Sequence, residues 1–261
     1  MPRANRVFLP GHIWHITHRC HKKEFLLKFA KDRQRWLYWL FQAKRRYGLS
    51  VLNYVVTSNH IHLLVKDTGE SVIPRSLQLI AGRTGQEYNN RKGRKGAYWE
   101  DRYHATAIAP DGHLFQCLTY IDLNMVRAGV VRHPKYWLHG GYREIQSPPL
   151  RYRIIDLSTL MTLYGASTLS ELQQQLREQV AQRLQAEPSG REEKWSASIA
   201  IGSARFIEGI KSSLSVKAHD KQDVTYQEGN AIKEDLISYR LHYHSKMAAL
   251  RGFNSHKWKI N

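Results

Sequence analysis

Acidic side chains are scarce in this 261-residue chain: 22 Asp and Glu stand against 40 Lys and Arg, leaving a formal charge of +18. Such an excess repels itself in isolation and calls for a polyanionic partner, nucleic acid before all others. Cysteine is nearly missing. Cys20 and Cys117 form no CxxC pair, which argues against a disulfide framework or a cysteine metal site and leaves two reduced, structural thiols. No run approaches the roughly 18 consecutive apolar residues of a membrane span, and the N-terminus carries no apolar signal core, so a soluble, cytoplasmic protein without a membrane partner is expected. Internal repeats are also absent. The length suits one good core with a smaller second unit, not three domains.

Charge is unevenly placed. The first 50 residues hold twelve Lys and Arg and two acids, interleaved with Trp14, Trp36, Trp39 and Tyr47. That mixture suits a nucleic-acid face, although most of these aromatics are expected to turn into the core, so the net field is the informative part.

Periodicity gives an order of elements. Residues 12–19 (HIWHITHR) alternate as a strand, and a helix runs from about Lys31 to Tyr47 with Trp36, Leu40, Ala43 and Tyr47 on one side, ended by Gly48. Residues 49–56 and 60–66 are two β-rich runs parted by Thr57-Ser58-Asn59, a connection short enough for a hairpin. A second helix from about Val72 carries Ile73, Leu77, Ile80, Thr84 and Tyr88 and is expected to end in the loop NNRKGRKG, residues 89–96; residues 102–109 make a fourth strand. Behind Pro110-Asp111-Gly112 a third helix is expected to run unbroken to about Gly129, with Leu114, Leu118, Ile121, Met125 and Ala128 as its buried row. The order β-α-β-β-α-β-α predicts an α+β fold, a ferredoxin-like (RRM-like) antiparallel sheet with helices on one face. Beyond it lie a Pro- and aromatic-rich connector (residues 133–153), a Leu- and Gln-rich helix near residues 169–184, a break at residues 187–190, a last patch over residues 195–214, and a basic tail expected to be loosely ordered. The division expected is 1–135 for the α+β domain and 136–261 for a mostly helical C-terminal extension whose tail regulates the domain or binds DNA.

Two constellations carry chemistry. His60 and His62 stand two apart in a strand, so both imidazoles leave one face while Ile61, Leu63 and Val65 leave the other. Side-by-side neutral imidazoles are a bidentate metal bite. A bare H-x-H is a weak sign in a chain with 14 histidines, but polar side chains on a middle strand need a reason. Tyr120, Asn124 and Arg127 fall at i, i+4 and i+7, one stripe along a helix flanking its apolar row. From spacing alone Tyr120 reads first as a half-buried aromatic with a wet hydroxyl and Asn124 as a local polar residue. As a nucleophile, a tyrosine of ordinary pKa about 10 needs help in losing its proton; a divalent cation held by the His pair and the Asn124 carbonyl oxygen would supply it. His12, His15, His18 and His21, three apart, scatter over both faces of a strand and read as hydrogen-bonding or solvent residues, not a second metal cluster.

The stretches PGHIWHITHR, YVVTSNHIHLLV, GRTGQEYNNRKGRKGAYWEDRY and LTYIDLNMVRAGVV resemble the single-tyrosine HUH transposases, and among them the REP-associated tyrosine transposases. The likeness covers residues 9 to about 131, and a weaker one returns in WSASIAIGSARFIEGIK. It implies a ferredoxin-like catalytic domain in which His60, His62 and Asn124 bind Mg²⁺ or Mn²⁺. Tyr120 is implied as the nucleophile that forms a 5′-phosphotyrosine link and leaves a 3′-hydroxyl able to reverse the step on another strand. The implied substrate is single-stranded or hairpin DNA of the REP type, in the nucleoid of a bacterial cytoplasm, cut by a protein that acts as a monomer, with a dimer as the other possibility. Met125 stands where the family usually has proline; Met is the better interior helix residue. Arg91, Lys92, Arg94, Lys95, Arg102 and Arg127 are candidate phosphate contacts as a group. Two rivals are a hairpin-binding module for DNA or RNA that does not cut, and a metal nuclease that uses water while Tyr120 only stacks on a base. Only the tyrosine mechanism predicts a covalent adduct.

Overall fold

The first strand, β1 (Ile13–Arg19), lies in the middle of the sheet because its alternate residues on both faces are apolar or hydrogen-bonded and almost wholly buried. It is followed by α1 (Ala30–Tyr47), ended by Gly48 in the left-handed region, then β2 (Ser50–Val56), β3 (His60–Lys66), α2 (Val72–Lys92) and β4 (His104–Ile108). Two further helices, α3 (Gly112–Asp122) and α4 (Asn124–Arg127), succeed them. The computed structural model describes residues 8–69, 71–186, 192–213, 221–226 and 229–234. The break at residues 187–190 and the tail ending in RLHYHSKMAALRGFNSHKWKIN lie outside the described residues.

The strands order as β2-β3-β1-β4, each pair antiparallel, the arrangement expected of a ferredoxin-like split βαβ unit. Helices α1 and α2 pack together on the face of His18 and Ile61: the His18 ring stacks on Trp99 at 4.0 Å, and Trp99 Nε1 donates to the Ala81 carbonyl in α2 at 3.0 Å. Added to this unit, α3 lies on the other face, where buried Asn53 of β2 donates to Asp122 Oδ1 at 2.9 Å and to the Leu118 carbonyl at 3.4 Å. Burial raises the Asp122 carboxyl to about 7, the Asn53 and Tyr142 hydrogen bonds opposing part of the rise.

After residue 135 come α5 (Gly141–Gln146), α6 (Leu157–Tyr164) and α7 (Leu169–Gln185). They shield the outer edge of β2: Val56 N–H donates to the His139 carbonyl, Trp137 Nε1 to the Val56 carbonyl, and Val51 bridges Ile155. Gly141 sits so close to β2 that a Cβ there would fall 2.2 Å from Asn53 Oδ1. The chain then returns through α8 (Lys194–Ala197) to β5 (Ser198–Gly202), which pairs parallel to β4 and extends the same sheet. After α9 (Ala204–Ser213), strands β6 (Lys221–Tyr226) and β7 (Gly229–Glu234) complete the order β2-β3-β1-β4-β5-β7-β6. Cys20 and Cys117 are both buried and unpaired with each other. Among the described residues no helix is long and apolar enough to cross a membrane.

Two boundaries differ from the sequence expectation. The second helix runs through Arg91 and Lys92 and stops at Gly93, whose left-handed φ of 59° closes the last turn onto the Asn89 and Asn90 carbonyls. The third helix is interrupted at Leu123 (φ −80°, ψ 3°), leaving Ala128 exposed where an unbroken helix would have buried it. In consequence Tyr120 belongs to the last turn of one helix and Asn124 opens the next.

Candidate active site

Strand pairing puts His62 opposite Thr17 of β1, and Thr17 opposite His104 of β4, so the imidazoles of His62 and His104 leave the same face of one row. His60 lies at the mouth of β3, half-buried, and its Nδ1 donates to Asn59 Oδ1 at 2.8 Å, with Thr57 Oγ1 at 3.0 Å. That tautomer puts the lone pair on Nε2. His62 is 4% exposed, and its ring meets that of His60 edge to face at 5.0 Å between centroids.

Both nitrogens of His62 are engaged. Asn124 Nδ2 donates to Nε2 at 3.0 Å, and Nδ1 lies 2.9 Å from Nε2 of His15. His15 is 0% exposed, and its ring lies side by side with that of His62, planes 7° apart and centroids 5.1 Å apart. Burial holds His15 down to about 3; the facing Trp195 carbonyl offsets part of that and His104 adds to it, so the ring is neutral near pH 7. His15 Nδ1 is buried and makes no hydrogen bond of ordinary geometry.

Tyr120 sits over this cluster, its ring 5.7 Å from His62 and 6.3 Å from His15, edge to face with both. On its other sides are the Arg127 guanidinium at 4.0 Å and the Trp195 ring at 5.6 Å. The helix break leaves the Tyr120 carbonyl to accept from Arg127 Nη2 at 2.9 Å. Tyr120 is consequently buried, 6% exposed. A cavity of about 350 Å³ borders it from the α7 side, lined by Gln116, Arg127, Gln182, Arg183 and Glu192. A smaller one of about 140 Å³ lies between α1 and α2 and shares none of these residues.

Among the described residues no group of three or more His, Cys, Asp or Glu side chains gathers around a point fit for a metal. A cation at this site would therefore rest on two imidazoles and an amide. The set fits a divalent ion that accepts nitrogen and oxygen donors: His60 and His62 each place a lone pair on Nε2, and turning the Asn124 amide over would replace Nδ2 by Oδ1 beside His62.

The candidate phosphate contacts divide by place. Arg127 packs on Tyr120. Arg91 pairs with buried Asp32 of α1, and Arg94 donates to the Ala97 carbonyl at 2.8 Å and lies 3.7 Å from Glu24. Lys92, Lys95 and Arg102 are exposed. The segment from Arg94 to Arg102 runs along the His60 end of the sheet, since His21 N–H donates to the Tyr98 carbonyl and Glu100 N–H to that of Arg19, the residue opposite His60. Two members of the cluster, His15 and Trp195, have no signal in linear spacing. His15 meets His62 only through strand register, and Trp195 arrives from 75 positions beyond Tyr120.

With this geometry in view, the comparisons are direct. Residues 10–124, a span that begins just before β1 and ends at Asn124, match the model of the IS200-like transposase family. Among solved structures, the chain is similar to a REP-associated tyrosine transposase bound to a REP hairpin, with 19% identity, a TM-score of 0.47, and coverage of 60% of this chain and 94% of that one. It is also similar to a transposase candidate from Deinococcus radiodurans R1, at 16% identity, a TM-score of 0.33, and coverage of 46% and 96%. No curated protein sequence matches it.

Proposed function

We propose that this transposase domain cuts and rejoins single-stranded DNA at REP-type hairpins through a covalent 5′-phosphotyrosine on Tyr120, and that the reaction depends on Mg²⁺ or Mn²⁺. The observation that carries the proposal is the convergence, in one chain, of the Tyr120 ring, the His60–His62 pair and Asn124. The motifs LTYIDLNMVRAGVV and HIHLLV and the charge of +18 support the choice of DNA strand as substrate.

His60, His62 and Asn124 would hold the cation, which when bound neutralises charge on the scissile phosphate and orients it. The Tyr120 oxygen attacks phosphorus; the new bond is Tyr O–P, the broken one P–O3′. One proton leaves the phenol and one reaches the departing 3′ oxygen, so the step conserves bonds to phosphorus and runs in reverse when another 3′-hydroxyl attacks. Arg127, at 4.0 Å from the ring, places a positive charge beside the phenolate that must form. Because a single chain supplies tyrosine and imidazoles to one site, a monomer suffices. Lys92, Lys95 and Arg102, which are exposed, with Arg91 and Arg94, would carry the strand's phosphates.

Trp195 covers Tyr120, so strand entry requires the segment carrying it to give way. This is how the C-terminal extension, 136–261, tempers the catalytic domain, 1–135. The experiment is incubation of the full chain with Mn²⁺ or Mg²⁺ and end-labelled hairpin oligonucleotides, resolved on a denaturing gel. A covalent adduct lost in Tyr120→Phe and with chelator is expected. Tight hairpin binding without an adduct would point to a binding module, and cleavage that survives Tyr120→Phe to a water-using nuclease.

A further inference from the structure

His15 lies on β1, outside the H-x-H pair, and it is wholly buried. A buried imidazole is costly to leave without polar partners, and the partner it finds is the ring nitrogen of another histidine: its Nε2 lies 2.9 Å from His62 Nδ1. One of the two must donate. Asn124 Nδ2 donates to His62 Nε2, which makes that nitrogen the acceptor. His62 therefore carries its proton on Nδ1 and donates to His15 Nε2, and His15, neutral, in turn carries its proton on Nδ1.

We propose that His15 is a positioning residue: it accepts from His62 Nδ1 and so holds the His62 ring in the tautomer and orientation that present the Nε2 lone pair to a cation. The proposal rests on the metal site proposed above for what the lone pair serves, while the tautomer itself is a property of the protein alone. The two rings are nearly coplanar, 7° apart with centroids at 5.1 Å, so the hydrogen bond runs along both ring planes and rotation of His62 about its Cβ–Cγ bond would break it. The same duty falls to Asn59 for His60, whose Nδ1 donates to Asn59 Oδ1 at 2.8 Å. Partners of this kind orient metal-binding histidines generally. The usual partner is a carboxylate or a carbonyl oxygen. Here His15 and Asn59 are uncharged, and so is Asn124. A divalent cation on this set would keep its full charge for the ligand completing its shell, which favours an anionic phosphodiester and makes for weak metal binding before DNA arrives.

The test uses the full chain with ¹⁵N-labelled histidine, first with chelator, by long-range ¹H–¹⁵N correlation of the imidazoles. Wild type is expected to show His62 protonated at Nδ1. His15→Leu removes the acceptor, and His62 then populates the Nε2–H form; His15→Gln, whose Oε1 replaces Nε2 as acceptor, restores the Nδ1–H form. Mn²⁺ titration followed by electron paramagnetic resonance should show affinity lowered about 10- to 100-fold in His15→Leu and returned to near wild type in His15→Gln. A merely structural histidine would not move the tautomer. If His15→Leu fails to fold, His15→Gln against His15→Asn decides, since the shorter amide cannot reach His62 and should behave as the loss variant. An unchanged His62 tautomer in His15→Leu, or in His15→Asn, overturns the proposal. A tautomer that shifts as stated, in a protein that takes up no Mn²⁺ with or without hairpin DNA, upholds the positioning role and overturns the metal-dependent mechanism instead.

Discussion

Strand β3 and the α3–α4 corner bring residues to the same site by different means. In β3, His60 and His62 share a face because a strand alternates, and their neighbours Ile61, Leu63 and Val65 are buried on the opposite face. The corner works otherwise. There the helix stops at Leu123, and the side chain of Arg127 folds back to bond the Tyr120 carbonyl and cover its ring. A strand thus delivers its two imidazoles by local periodicity, whereas the corner is held by contacts from distant parts of the chain: Asn53 of β2 through Asp122, α5 through Gly141 against β2, and Trp195 over the tyrosine. Apart from His15, which reaches His62 from β1, the strand half is expected to tolerate changes far from it; the corner half is not.

The largest effect should come from the link between the halves. Asp122 is raised to about 7 in the folded protein against about 3.9 in an unfolded chain. Between those values the folded state keeps a proton that the unfolded state has lost, so this group's contribution is full below about pH 4 and is lost as pH rises to about 7. Urea unfolding of wild type and Asp122→Asn across that window should show their stability difference changing by roughly 4 kcal/mol, with wild type relatively better at low pH. A constant difference would mean that Asp122 is not the titrating group.

His62→Ala strikes the strand half. Hairpin cleavage should fall by at least about 100-fold, since losing a direct ligand costs more than losing a partner behind it, with the unfolding midpoint changed little. Gly141→Ala strikes the corner's support: the added Cβ would meet Asn53 Oδ1, and overpacking of that kind costs about 1 to 3 kcal/mol, measurable by thermal denaturation, with β2 and Asp122 disturbed together. Smallest is Trp195→Ala. Uncovering Tyr120 should raise the rate of adduct formation a few-fold, on the order of 1 kcal/mol in barrier, when followed in single-turnover time courses. A slower rate would show that Trp195 supports the tyrosine and does not restrain it.

Much of the strand half was legible in the sequence. Alternation located β1, β3 and the His pair, and the short Thr57-Ser58-Asn59 connection foretold the β2–β3 hairpin. The corner was legible only in part. Spacing put Tyr120, Asn124 and Arg127 on one helical stripe and the family resemblance supplied their expected roles, but the interruption at Leu123, beside the tertiary contacts of Asp122 and Arg127, has no Gly or Pro to announce it. The partnership of His15 with His62 needs the register of two strands 47 positions apart, which no local pattern contains. The return of residues 198–202 to the sheet as β5 is of the same kind: the parallel pairing with β4 joins residues 93 positions apart and reads locally as no more than a short apolar patch.

The account turns on one covalent bond. Reaction of the full chain with Mn²⁺ and a hairpin oligonucleotide, followed by nuclease and protease digestion and mass spectrometry, should yield the α3 peptide carrying a 5′-linked nucleotide on Tyr120. A nucleotide found on another tyrosine, or cleaved DNA bearing free 5′ ends with no modified peptide at any time point, would contradict it.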